Sequence, residues 1–216
     1  MNTFRLPKFY PILDTAVLAR CGLSPAAAAE ALLEAGARIL QFRHKEFFSR
    51  EIFEQAQTIA ELCRSAGVLF VVNDRADFAR LLDAALHLGQ DDLEPIDVRK
   101  LLPPPAIIGF STHNGDQLRL ADSYPVDYLA IGPIFATGSK LNPDPVVGLA
   151  ELRALRAVTS KPLCAIGGIT RGNAESVLRA GADSLAIIGD LYPQPLTVAA
   201  LRSRAEEWIA ISSSRT

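Results

Sequence analysis

Eight short, continuously apolar runs recur along this chain, at 9–13, 39–42, 69–72, 86–88, 107–110, 128–131, 163–166 and 184–188. Each is too short and too uniformly apolar for a surface helix, and each reads as a strand covered on both faces. Helical patterns fill the spaces between them. Ser24 is an N-cap with proline at the first position of a helix over 25–35, and Gly36 is its stop. Ser49 caps a second helix that runs to Ala66 and halts at Gly67. A third, 149–159, precedes Ser160-Lys161-Pro162, where proline opposes continuation. Thr170 or Asn173 caps a fourth that ends at Ala180 before Gly181, and 195–211 forms the last. From Asp74 to Leu86 there is room for a short helix only. Eight strand–helix alternations predict an α/β fold, a single-domain (β/α)8 TIM barrel, in preference to an open doubly wound sheet.

One such domain accounts for residues 1–216, with the core over about 9–211 and a frayed tail at 212–216. A formal net charge of −2 removes any whole-chain electrostatic case for nucleic acid or an anionic membrane. No apolar run approaches the ~18 residues of a bilayer span. The opening Met1-Asn2-Thr3-Phe4-Arg5-Leu6-Pro7-Lys8 lacks the apolar core of a secretory signal. Cys21, Cys63 and Cys164 show no metal-ligand spacing and read as reduced, buried thiols. The expectation is a cytoplasmic protein whose partners are small molecules; an oligomer is left open.

A parallel barrel gathers its chemistry at the C-terminal ends of its strands, and six polar segments stand there. Gln41, Arg43 and Lys45 alternate at the end of the second strand, with Phe42 and His44 on the opposite parity, so the first three face one way. A planar guanidinium and a point-charge ammonium beside an amide suit a phosphorylated ligand that carries a heterocycle. Asn73-Asp74 ends the third strand, and Asp91-Asp92 follows the fourth. In isolation Asn-Asp is commonly a turn or a cap. Adjacent strand ends would bring the carboxylates around one hard cation, and magnesium takes one or two carboxylates plus waters and phosphates.

Ser111-Thr112-His113 ends the fifth strand, with no Gly-x-Ser-x-Gly elbow to make Ser111 a nucleophile. His87, inside a strand-like run, reads as packed against the barrel. Thr137-Gly138-Ser139-Lys140 lies in the longest irregular stretch, 135–147, which reads as a lid that would bring Lys140 to a phosphate. Gly167-Gly168 after strand seven and Gly189 after strand eight suit the backbone phosphate cradle of such barrels. Two phosphate subsites result: one cationic and metal-assisted, one neutral.

In matching order, Gln41-Phe42-Arg43-His44-Lys45, Asn73-Asp74-Arg75, His87–Asp92, Ser111-Thr112-His113, Gly132–Lys140 and Ala165–Thr170 resemble the thiamine phosphate synthase family, over roughly 9–192. The resemblance implies a magnesium-dependent transferase that joins hydroxymethylpyrimidine pyrophosphate to a thiazole phosphate with release of pyrophosphate. Gln41 and Ser111 would bind the aminopyrimidine; Arg43, Lys45, Asn73 and Lys140 would hold the pyrophosphate; Asp74 and Asp92 would bind the metal. Thr137 and Ser139, with backbone at Gly168, Ile188 and Gly189, would bind the thiazole phosphate. Arg43, Lys45, Lys140 and Ser111 would act in a dissociative step. Ser139 and Gly189 stand where the family more often has threonine and serine, so only a backbone contact survives at Gly189. Two alternatives share the barrel: a thiazole tautomerase, for which His113 supplies a proton-transfer group, and a non-catalytic binder of phosphorylated ligands.

Overall fold

The computed structural model describes residues 4–138 and 144–213. Strands β1 (Phe9–Asp14), β2 (Ile39–Arg43), β3 (Leu69–Asn73), β4 (Ala85–Leu88), β5 (Ile108–Thr112), β6 (Tyr128–Ile131), β7 (Leu163–Ile166) and β8 (Ser184–Ile187) pair in sequence order into a closed parallel barrel, β8 meeting β1. The helices are α1 (Thr15–Cys21), α2 (Pro25–Glu34), α3 (Arg50–Ser65), α4 (Ala76–Leu82), α5 (Pro95–Leu101), α6 (Gly115–Asp122), α7 (Gly148–Arg156), α8 (Ala174–Arg179) and α9 (Val198–Ser213), with a 3-10 turn at Gly189–Leu191. The predicted (β/α)8 architecture is the observed one. Among the described residues no helix is long and apolar enough to cross a membrane.

Strand parity divides the core in two. Tyr10, Ile12, Ile39, Val71, Ala85, Tyr128, Ala130, Cys164 and Ala186 fill the barrel interior. Their chain neighbours, among them Phe9, Leu13, Leu40, Phe42, Val72 and Leu86, pack outward against the helices. Cys63 and Cys164 are buried as expected, and burial pushes both thiols up to about 12, so they behave as small hydrophobes; Cys21, at the end of α1, is only partly buried.

Side-chain capping sets the helix starts. Ser24 Oγ accepts from the Ala27 N–H at 3.2 Å, Ser49 Oγ from Ile52 at 3.3 Å and Asn114 Oδ1 from Gln117 at 2.9 Å. The last helix begins three residues later than the proline at 195 suggests, because Thr197 is its cap: Thr197 Oγ1 accepts from Ala200 N–H at 3.1 Å. It also extends through Ser212, whose hydroxyl donates to Trp208 O at 2.8 Å, so the frayed tail cannot start there. Helix α7 stops at Arg156 rather than 159: its last turn tightens, with Val158 N–H donating to Leu155 O at 3.0 Å, and the Arg156 guanidinium reaches forward to donate to Thr159 O and Lys161 O.

Candidate active site

The strand C-termini open into one cavity of about 1040 Å³. Its wall includes Gln41, Arg43, Lys45, Asn73, Asp74, Asp92, Ser111, Gly168, Ile188 and Gly189, residues from β2, β3, β4, β5, β7 and β8 that the sequence reading selected separately. Thr137 is half-buried on the loop after β6 and is not on that wall. Ser139 and Lys140, the centre of the anticipated lid, lie outside the described residues.

Gln41 and Arg43 are ladder residues, and their shared parity points both inward. Arg43 reaches Asp14, at the end of the neighbouring β1, in an ion pair between partly buried side chains. Asp14 is doubly committed, because its Oδ1 also caps α1 by accepting from Val17 N–H at 3.1 Å. Tyr192 fixes the same corner: it accepts from Asp14 N–H at 2.8 Å and donates to Ile12 O at 2.9 Å. Neither Asp14 nor Tyr192 was singled out in the sequence. The one available signal was Asp14's position one residue past an apolar run, as in the other strands. His44, of opposite parity, packs outward, with Nδ1 2.8 Å from Thr15 Oγ1 and its ring edge-on to Phe48.

Lys45 Nζ donates to Asp74 Oδ2 at 2.5 Å. Asp74 sits at φ +66°, in the left-handed region that Asp tolerates better than most residues, and this turns its carboxyl toward the cavity. Asp92 Oδ2 accepts from Gly89 N–H at 2.7 Å, and the Asp92 carboxyl is near enough to act on that of Asp74. Burial raises the Asp74 carboxyl above its ordinary range, Lys45 opposes the shift and Asp92 reinforces it. Two neighbouring carboxylates on adjacent strand ends are a hard-oxygen donor set of the kind that suits magnesium, which takes one or two carboxylates and leaves most of its shell to water and phosphate. Beside them the Asn73 side chain is buried, and its Nδ2 has no hydrogen-bond partner among the described residues. An unpaired buried amide donor on a residue that lines the cavity is a candidate partner for a bound acceptor.

The opposite rim is built largely of backbone, and Asp190, which lines it, accepts from Arg171 Nε at 2.9 Å. Gly167 and Gly168 take φ of +96° and +64°, and the space above them is filled by the β6 loop: a Cβ on Gly168 would lie 2.6 Å from Ala136 O. The close approach that glycine permits is therefore made first of all by this chain's own backbone, with Phe135 N–H donating to Gly167 O at 3.0 Å. Asn173 braces the loop, its Nδ2 donating to Gly168 O at 3.0 Å while its Oδ1 accepts from Thr170 N–H at 2.8 Å.

His87 faces the interior rather than the helices. Its Nδ1 lies 3.0 Å from the Tyr128 hydroxyl and its Nε2 2.8 Å from Ser111 Oγ. Burial depresses its pKa to about 4, so it is neutral at neutral pH. His113 lines the cavity too, but its Nδ1 donates to Gly132 O at 2.8 Å, which ties the β5 end to the β6 loop.

Comparisons with known proteins agree with the barrel. The family model described as thiamine monophosphate synthase matches residues 9–191. A thiamine-phosphate synthase of Koribacter versatilis is 48% identical over 97% of this chain and 98% of its own length. One from Moorella thermoacetica is 43% identical over 81% of this chain and 83% of its own. Among solved structures, a thiamine phosphate pyrophosphorylase from Pyrococcus furiosus superposes with a TM-score of 0.81 at 31% identity, covering 95% of each chain. With a closed eight-stranded barrel and this strand-end site, the chain belongs to the thiamine monophosphate synthase family, and it is a transferase of thiamine biosynthesis.

Proposed function

We propose that this cavity binds a pyrimidine pyrophosphate at its β2–β4 rim and a thiazole phosphate at its β7–β8 rim, and joins them with release of pyrophosphate. The observation that carries the reading is the division of one cavity: Arg43, Lys45, the neighbouring Asp74 and Asp92 and the unpaired Asn73 amide on one side, backbone at Gly168, Ile188 and Gly189 on the other.

Gln41 and Ser111 hold the pyrimidine ring below the charged rim. Arg43 and Lys45, with Lys140 on the resemblance alone, face the departing charge, and Asn73 Nδ2 donates to a pyrophosphate oxygen. Asp74 and Asp92 would hold magnesium, which when bound supplies positive charge to the pyrophosphate. The bond from the ring methylene to the pyrophosphate oxygen breaks, the electron pair leaves with oxygen, and the methylene cation is captured by the thiazole nitrogen. Preorganised charge at a leaving group is commonly the largest catalytic contribution. Because Asp14 holds the Arg43 guanidinium, little reorganisation is needed at the moment of bond breaking. No residue has to act as a nucleophile, and Ser111 is turned toward His87 instead.

The direct test is to incubate purified protein with both substrates and magnesium and to follow thiamine phosphate as fluorescent thiochrome. Magnesium-dependent product is the expected result. A folded protein that yields none from intact substrates overturns the reading, and a thiazole tautomer assay then separates an isomerase from a binder without turnover.

A further inference from the structure

Five side chains form an unbroken file of hydrogen bonds across the barrel interior. Gln41 Nε2 donates to the Tyr10 hydroxyl at 2.9 Å, and the Tyr10 and Tyr128 hydroxyls are 2.9 Å apart. Tyr128 continues to His87 Nδ1 at 3.0 Å, and His87 Nε2 to Ser111 Oγ at 2.8 Å. Both ends are on the cavity wall, on β2 and β5, and the file links them through β1, β6 and β4.

The file is built, not incidental. Gly109 is the notch that admits it: a Cβ there would fall 2.0 Å from Tyr128 Cζ. The Tyr128 ring lies stacked on His87 with centroids 5.5 Å apart and meets Tyr10 edge-on at 6.2 Å. Burial raises both phenols, so each keeps its one proton, and burial keeps His87 neutral with one ring N–H.

Proton counting orders the file when each phenol spends its one proton within it. The Gln41 amide nitrogen is a donor only, so Tyr10 accepts from it and donates its own proton to Tyr128. Tyr128 donates to His87 Nδ1, which leaves the imidazole proton on Nε2, facing Ser111 Oγ. Ser111 therefore has its own O–H to spend on a ligand, and Gln41 has its Oε1. Reversing either end requires every proton in the file to move and the Gln41 amide to turn over.

We infer that Tyr10, Tyr128 and His87 are one positioning relay that sets Gln41 Oε1 as an acceptor and Ser111 O–H as a donor, and so selects a heterocycle with an exocyclic amino group and an unprotonated ring nitrogen over its oxo counterpart. The inference rests on the proposed function, which assigns Gln41 and Ser111 to the pyrimidine.

The test is calorimetric titration with the 4-amino pyrimidine pyrophosphate and its 4-oxo analogue, in wild type and Tyr128→Phe, a change that keeps the ring and removes the hydroxyl. The wild type is expected to prefer the amino compound by about 100-fold or more, and Tyr128→Phe to shrink that ratio at least about tenfold. A structural effect lowers both affinities and leaves the ratio alone, so an unchanged ratio overturns the relay. Should Tyr128→Phe not fold, Tyr10→Phe cuts the file next to Gln41 and is read the same way. Nitrogen NMR of the histidines gives a second readout: His87 neutral with its proton on Nε2, and Nδ1–H appearing in Tyr128→Phe. A protein with those spectra that binds neither pyrimidine sinks the proposed function and the selection inferred from it, whereas an unchanged ratio sinks the relay alone.

Discussion

Lys45 Nζ lies 2.5 Å from Asp74 Oδ2, tying the end of β2 to the end of β3 across the cavity rim. The Lys45 side chain is half exposed, at 51%, so the pair contributes at most about 1 kcal/mol to stability. Its importance is to the site. The carboxylate that neutralises the ammonium is the one that burial and Asp92 make costly to ionise.

Asp74→Asn separates these roles. Asparagine accepts a φ of +66° as readily as aspartate, so the turn is preserved. Thermal stability is expected to stay within a few degrees, by the small value of an exposed pair. Magnesium-dependent turnover is expected to fall at least about 100-fold, from the loss of several kcal/mol of charge stabilisation. Binding of thiazole phosphate, measured by calorimetry, should be nearly unchanged. Turnover at the wild-type level would remove Asp74 from the metal site.

Asp14→Ala removes a helix cap and the partner of Arg43 together. The cap is worth about 1 kcal/mol and a charge-assisted hydrogen bond in a partly buried setting about 1.5–3, so a combined loss near 3 kcal/mol is expected. The KM for the pyrophosphate substrate should rise because Arg43 is no longer held on the cavity wall. Urea denaturation and steady-state kinetics check the two parts independently, and Asp14→Asn should recover much of the cap but not the ion pair.

The neutral, buried His87 makes stability depend on pH in a defined window. Its folded pKa of about 4 lies below the ordinary value of 6.5, so at low pH the unfolded chain binds a proton that the folded protein refuses. The contribution is complete above pH 6.5 and is lost as pH falls toward 4, by roughly 3 kcal/mol in all. Nearby Asp92 and Lys45 act on His87 in opposite directions and are both smaller influences than burial. Urea midpoints at pH 7 and pH 4 should show the loss, and His87→Gln should flatten it. An equal slope in that variant would mean other groups carry the acid sensitivity.

Gly168→Ala should disrupt the β7–β8 rim without touching a charge. The residue is at φ +64°, and its new methyl would sit 2.6 Å from Ala136 O and 2.7 Å from Phe135 Cβ. Strain and overlap together are expected to cost about 2–4 kcal/mol and to displace the β6 loop. The KM for thiazole phosphate should rise far more than that for the pyrimidine substrate. Equal changes in both would argue against a phosphate cradle here.

Much of this was legible from the chain. Apolar runs located all eight strands, because a strand covered on both faces must be apolar throughout, whatever its partners. The readings stopped where polarity began, however, and so cut β1 at Leu13, whereas the ladder carries Asp14 alongside Arg43. The apolar runs at 39–42, 69–72 and 107–110 stop short for the same reason, while Arg43, Asn73 and Thr112 close their strands as their polar segments suggested. The short α1, α5 and α6 gave too few turns for a clear period, and their packing on the barrel is what sustains them.

Sequence alone determined the barrel, since the eightfold alternation of strand and helix and the period-two parity of Gln41, Arg43 and Lys45 are local properties of the chain. It also determined which strand ends carry charge. Tertiary structure decided which of those groups meet. Tyr10 and Tyr128 are 118 positions apart and read as ordinary core aromatics until barrel closure puts their hydroxyls 2.9 Å apart. Contacts between Asp14 and Arg43, Lys45 and Asp74, or His87 and Ser111 likewise depend on register and shear, which are set by the closed sheet as a whole and leave no trace in any one segment.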